Sequence, residues 1–186
     1  MEKDLDKDQQ RFLLKLARDS IKHYLEKGKH LDVEAEKGVL KEYRGAFVTI
    51  KHNHQLRGCI GYPTPSYPLY KTIIEAAIMA AAKDPRFHPV DEEEFPDIDI
   101  EISVLSVPKK IKDTSKIEVG KHGIIISKGY HSGLLLPQVP TEYGWDLETY
   151  LRHGCLKAGL EEDAWRKGAD LEIFTAQVFS EKDFNL

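Results

Sequence analysis

Cysteine is scarce here: Cys59 and Cys155 are the only two in 186 residues. A small extracellular domain held together by disulfides would carry more, so a reducing cytoplasm is the expected location. No apolar run approaches the roughly 20 residues that a membrane helix needs. The first residues, Met1 to Asp6, are too polar for a signal peptide. Phosphate-cradling patterns are missing, both Gly-x-Gly-x-x-Gly and the Walker-type Gly-Lys-Ser/Thr. So are His-Glu-x-x-His and paired Cys-x-x-Cys, and no metal or cofactor is expected. An excess of positive charge is missing too. Asp and Glu number 31 against 27 Lys and Arg, a formal net charge of −4, which exerts no global pull on nucleic acid or anionic membrane. The one basic run, Lys109-Lys110-Ile111-Lys112, is expected to be a solvated loop. Repeats and low-complexity stretches are absent.

What is present suits a single domain over residues 1–186, with 41% hydrophobic residues and length enough for a sizeable core. Phe12, Leu13, Leu16, Ala17, Ile21, Tyr24 and Leu25 recur at helical spacing, which predicts an amphipathic helix over 6–28 ending at Gly28. Residues 46–50 and 55–61 read as strands joined by the polar turn Lys51-His52-Asn53-His54. The prolines at 63, 65 and 68 make the next stretch a loop, with Pro68 opening a helix from Leu69 to about Lys83. The run Asp91-Glu92-Glu93-Glu94 reads as a solvated acidic turn. Ile98, Ile100, Ile102 and Val104 alternate with polar residues, as in a half-buried strand. A second hairpin turns at Lys128–His131, with its return strand ending at Pro137. A helix over 146–158 and a last strand from Leu171 to Phe179 complete the chain. Hairpins without regular strand–helix alternation predict an α+β fold, mostly antiparallel sheet with packed helices.

The segment Leu56-Arg57-Gly58-Cys59-Ile60-Gly61 concentrates the residues with chemical potential. On a regular strand Leu56, Gly58 and Ile60 share the core face, and Arg57, Cys59 and Gly61 the other. A cation beside a thiol favours the reactive thiolate, so Arg57 is expected to activate Cys59 and to bind anions. The flanking glycines leave room for a ligand or a backbone to approach. The competing reading makes Cys59 a small buried hydrophobe. Arg86 and His88 sit in the rigid loop Asp84–Pro89, and His122 precedes a strand. Either histidine is a candidate base toward Cys59. His52 and His54 read as solvated. Gln138 is a candidate cleft residue at a strand exit, with Glu142, Tyr143 and Trp145 as an aromatic wall. Cys155, four residues after Leu151, is expected to pack inward.

The hexapeptide resembles the signature of the AMMECR family. Further segments are similar to that family's pattern in the same order: Asp84-Pro85-Arg86-Phe87 with Pro89, Ile102 to Ser106 with Pro108, Gly133 to Val139 with Trp145, and Lys157 to Leu160 with Trp165. The resemblance spans nearly the whole chain. It implies an α+β fold in a larger and a smaller lobe, and pairing with Memo-type proteins and association with a radical SAM protein. It implies Leu56 to Gly61 as the site but supplies no reaction. The leading expectation is an enzyme, or an enzyme's substrate-handling subunit, acting on an unidentified small-molecule or macromolecular substrate. Its site would use Cys59 as nucleophile, Arg57 as activator, and His88 or His122 as base. Leu56, Gly58, Ile60, Gly61, Arg86 and Gln138 would line the site. The alternative is a docking module for those partners. A nucleic-acid binder fits the charge least.

Overall fold

The computed structural model describes residues 4–35 and 38–186. The chain forms two compact units, one running to Leu105 and completed by Gln177–Leu186, the other Ser106–Ala176. Among the described residues, no helix is long and apolar enough to cross a membrane.

In the first unit, helix α1 spans Lys7–Lys27. Asp6 caps it by accepting from the Gln9 amide at 2.9 Å, and the Gln9 side chain returns the bond to the Asp6 amide at 3.0 Å. Gly28 ends it in the left-handed region at φ 65°. The apolar stripe buries Leu13, Leu14, Ala17 and Ile21, whereas Phe12, expected on that stripe, lies at its rim and is 38% exposed.

Strands β1 (Ala46–His52) and β2 (Gln55–Tyr62) form the first hairpin. Its turn is only Asn53-His54, both at positive φ (50° and 64°), a two-residue closure that keeps Lys51 and His52 in the strand. The expected four-residue turn is therefore too long. Pro68 caps helix α2 (Leu69–Ala82), which packs on β1 and β2, while α1 packs on α2 and β3 (Ile98–Leu105). The sheet order is β2-β1-β3-β8, where β8 is Ala176–Ser180, with β1 antiparallel to both neighbours. Val48, Ile50, Ile100 and Ile102 are fully buried under the helices. Glu181 is buried beside them. It pairs with Arg18 at 2.5 Å and accepts the Ile100 amide at 2.8 Å.

The second unit carries its own sheet in the order β4-β7-β5-β6, built from β4 (Lys109–Ile111), β5 (Gly123–Lys128), β6 (His131–Leu135) and β7 (Asp170–Phe174). Lys109 to Ile111 is thus an edge strand and not a solvated loop: its backbone pairs with β7 while Lys110 meets Asp170 in solvent at 3.4 Å. The return strand β6 stops at Leu135, because Pro137 starts the short helix α3 (Gln138–Glu142). Helix α4 (Leu147–Lys157) is capped by Asp146 and packs on β5 and β6, burying Tyr150, Leu151 and Cys155. Burial pushes the Cys155 thiol and the Tyr150 phenol up from their ordinary values.

The expected last strand is in fact two. It breaks at Thr175 into β7 and β8 (Ala176–Ser180), which belong to different sheets. Thr175 exchanges two 2.9 Å hydrogen bonds with Ser106, which interrupt the ladder there. Alternation alone does not reveal a change of sheet.

Helix α2 approaches β2 most closely at Gly58, where an added Cβ would collide with the Ala80 carbonyl oxygen. Backbone on both sides leaves nothing to rotate away. Gly58→Ala should therefore lower the unfolding free energy by about 1–3 kcal/mol. Urea denaturation checks this, with a shifted midpoint at unchanged slope as the expected result.

Candidate functional site

The ladder between β1 and β2 skips one residue. Ile50 faces Gly58 but Lys51 faces Leu56, so Arg57 is the extra residue of a bulge. From Gly58 onward the expected alternation holds, with Gly58 and Ile60 opposite the buried Ile50 and Val48. Before the bulge it reverses. Leu56 is turned from the core to the face that carries Thr49 and Cys59, and it is 45% exposed. Its assignment to the core face was wrong because a bulge resets the period of two. The glycines serve close packing. Gly58 lies against the α2 backbone, and Gly61 against the Phe47 ring and the Ala46 carbonyl.

β2 is an edge strand, so one side of its backbone has no strand to pair with. The loop after α2 fills that side at Cys59. Asp84 accepts the Cys59 amide at 2.9 Å, and Arg86 donates to the Cys59 carbonyl at 3.2 Å. The two side chains are also paired with each other, Arg86 Nε and Nη2 lying 2.9 and 2.7 Å from the Asp84 oxygens. Asp84 is buried at 4% exposure. Its carboxyl is held well below the usual range, chiefly by Arg86 and then by the amides of Cys59 and Arg86, against the opposing effect of burial. Asp84 in turn raises Arg86.

Arg57 is engaged elsewhere than at the thiol. It grips Glu94 through two bonds of 2.6 and 2.9 Å and donates to the carbonyls of His88 and Pro89 at 2.8 and 3.3 Å. The expected activator of Cys59 is thus the anchor of the 88–94 loop. Glu94 is correspondingly not a solvated acidic residue: its side chain is 17% exposed and lies 3.3 Å from His52 as well. The Phe87 ring lies 5.4 Å from the Arg86 guanidinium and 6.0 Å from that of Arg57.

Cys59 is half-buried. Its hydrogen bond comes from the cross-strand partner Thr49, whose hydroxyl donates to the sulfur at 3.2 Å. The first unit therefore brings Arg57, Cys59, Arg86 and His88 together, His88 through its carbonyl, with its side chain in an exposed position. His122 and Gln138 belong to the second unit. There His122 accepts the Glu118 amide at 3.1 Å through Nδ1, and Gln138 is the first residue of α3. Trp145 stacks on His153 at 4.0 Å and on Tyr143 at 5.0 Å. Thr49, Asp84 and Glu94 were missed by the sequence reading. The spacing of Asp84 and Arg86 was the available signal, since side chains two apart in a loop can form a fork. No group of three or more His, Cys, Asp or Glu that could hold a metal ion occurs among the described residues.

A carboxyl depressed in the folded state adds stability that is complete above the ordinary carboxylate value near pH ~4 and is lost as the pH falls through and below it. Asp84→Asn should destabilise by about 1.5–3 kcal/mol at neutral pH, the range for hydrogen bonds to charged groups. The gap to the parent should then narrow as acid protonates Asp84 in the parent. Thermal melts across a pH series measure it, and a gap that stays constant in acid would assign the loss to packing.

The family model described as AMMECR1 matches residues 14–179. A Methanopyrus kandleri protein is 50% identical over 182 residues, covering 92% of this chain and 88% of its own. A Methanocaldococcus jannaschii protein is 48% identical, covering 91% and 89%. Among solved structures, the crystal structure of an uncharacterized protein from Pyrococcus horikoshii superposes with a TM-score of 0.82 at 45% identity, covering 91% of this chain and 89% of that one. A match across both units, from within α1 into β8, is what a shared fold and shared ancestry produce, and the chain belongs to the AMMECR1 family.

Proposed function

We propose that the chain acts as an enzyme, or as the substrate-handling subunit of one, with Cys59 as its nucleophile. One observation carries the reading. The Cys59 amide and carbonyl are both held by the Asp84–Arg86 pair, while the residue stays half-buried and its sulfur lies 3.2 Å from a hydroxyl donor. A nucleophile gains from a main chain fixed in one position, because the reacting atom is then aligned in advance. A cysteine that only fills space needs none of this, and Cys155, wholly enclosed by its core, is that kind. Thr49 takes the supporting role first given to Arg57, and His88 or His122 is the candidate base.

Acetylation by p-nitrophenyl acetate tests the reading. The sulfur would form a thioester with the acetyl carbon and release p-nitrophenol. Mass spectrometry should find the acetyl group on Cys59 and none on Cys155, formed faster than on glutathione in the same buffer. Thr49→Val should slow it about tenfold, equivalent to ~1.4 kcal/mol in the barrier. Acetylation no faster than that of glutathione would refute the nucleophile.

The exposure of Leu56 favours a second reading, a docking module for a Memo-type or radical SAM partner. An apolar side chain turned outward by a bulge, beside a rigid strand edge, is a suitable contact for another protein. Leu56→Asp should then weaken a pull-down of a Memo-type partner by about tenfold or more while leaving Cys59 acetylation unchanged. Retention of the complex would count against docking at this face. Both site arginines are paired with carboxylates, so the cluster lends no support to nucleic-acid binding.

A further inference from the structure

On the face of the first sheet opposite Cys59 lies a cleft of about 390 Å³, within the roughly 300–1,000 Å³ usual for small-molecule sites. Three separate segments line it: residues 30–33, the end of β2 with the loop after it, and the first turns of α2. Tyr62 reaches it from the register of Ala46, the core side of the ladder, whereas Cys59 pairs with Thr49 on the other side. The two sites therefore share no side chain.

The cleft has an apolar body and charged edges. Leu31, Val33 and Ile74 supply aliphatic surface, and the rings of Tyr62 and Tyr67 meet edge to face at 6.1 Å. Burial raises the Tyr62 phenol, with Glu75 and Tyr67 adding to the effect, so it stays a neutral hydrogen-bonding group. His30 and Glu75 close on each other at 2.7 Å, the ring nitrogen donating to the carboxylate. That leaves one cation and one anion without an ion-pair partner among the described residues. Lys71 has only a 5.9 Å approach to the Tyr70 ring, and Asp32 has none.

We infer that this cleft binds a small zwitterion of the α-amino-acid class with a bulky apolar side chain. A ligand with a single charge would satisfy one of Lys71 and Asp32 and be repelled by the other. A zwitterion satisfies both, with its carboxylate toward Lys71 and its ammonium toward Asp32 and the tyrosine rings. Its side chain then covers the aliphatic wall.

Calorimetry and amide NMR of the full chain test this with three probes that share one phenylethyl frame: L-phenylalanine, hydrocinnamate lacking the ammonium, and phenethylamine lacking the carboxylate. L-Phenylalanine should bind with a Kd of about 1 mM or tighter, at least about tenfold better than either single-charge analogue, and shift the amides of Tyr62, Tyr67 and Ile74. Lys71→Met should erase the preference for L-phenylalanine over phenethylamine, because it removes both the partner of the carboxylate and the charge that repels phenethylamine. Asp32→Asn should likewise erase the preference for L-phenylalanine over hydrocinnamate. Both positions are exposed, so neither change threatens the fold. Cys59→Ser should leave binding intact, which keeps this result separate from the fate of the nucleophile reading. Any outcome without a clear preference for the zwitterion over both analogues, or with shifts remote from the cleft, overturns the inference.

Discussion

The Asp84 carboxylate occupies the place of a missing strand. β2 stands at the edge of the first sheet, and an edge leaves backbone donors and acceptors that must find partners if they are covered. Asp84 meets the Cys59 amide, Arg86 meets the Cys59 carbonyl, and the two side chains neutralise each other. A buried carboxylate without Arg86 and the two amides would be costly. With them it is a fixed point, and the position of Cys59 follows from it. The loop that carries the pair is held a second time, by Arg57 on Glu94 and on the carbonyls of His88 and Pro89.

The hexapeptide divides its work accordingly. Arg57, as the bulge residue, anchors the loop. Gly58 admits the backbone of α2, and Ile60 packs against the core. Gly61 makes room for Phe47, which leaves Leu56 and the Cys59 sulfur as the parts not used up by packing. Four of six residues are thus explained by architecture, and their presence in a motif does not by itself mark each as a ligand contact. The cleft on the other face of the sheet draws on a different set of side chains, so one small unit offers two surfaces of different character.

The second unit repeats the same economy of materials with different results. Its cysteine is sealed between α4 and the sheet, and burial raises its thiol. Its buried tyrosine, Tyr150, has the carbonyls of Leu135, Leu136 and His122 within reach of its hydroxyl. A polar group enclosed by a core must find such partners. The contrast between Cys59 and Cys155 rests on surroundings alone.

Local pattern determined much of this protein. The first helix with its stop at Gly28, the helix near 146–158, the alternation from Ile98 to Val104 and the inward Cys155 were all legible, because each depends on neighbours a few residues away. So was the strand over residues 55–61. Tertiary structure decided what pattern cannot express. The bulge at Arg57 turned Leu56 outward, since register is set by the partner strand and not by the strand itself. The break at Thr175 sent one apparent strand into two sheets. Arg57 went to Glu94 and Asp84 to Cys59 across separations of 37 and 25 residues, pairings that depend on where loops pass in space. Charges have no periodicity that announces their partners, so which carboxylate meets which arginine was settled only when the chain closed on itself.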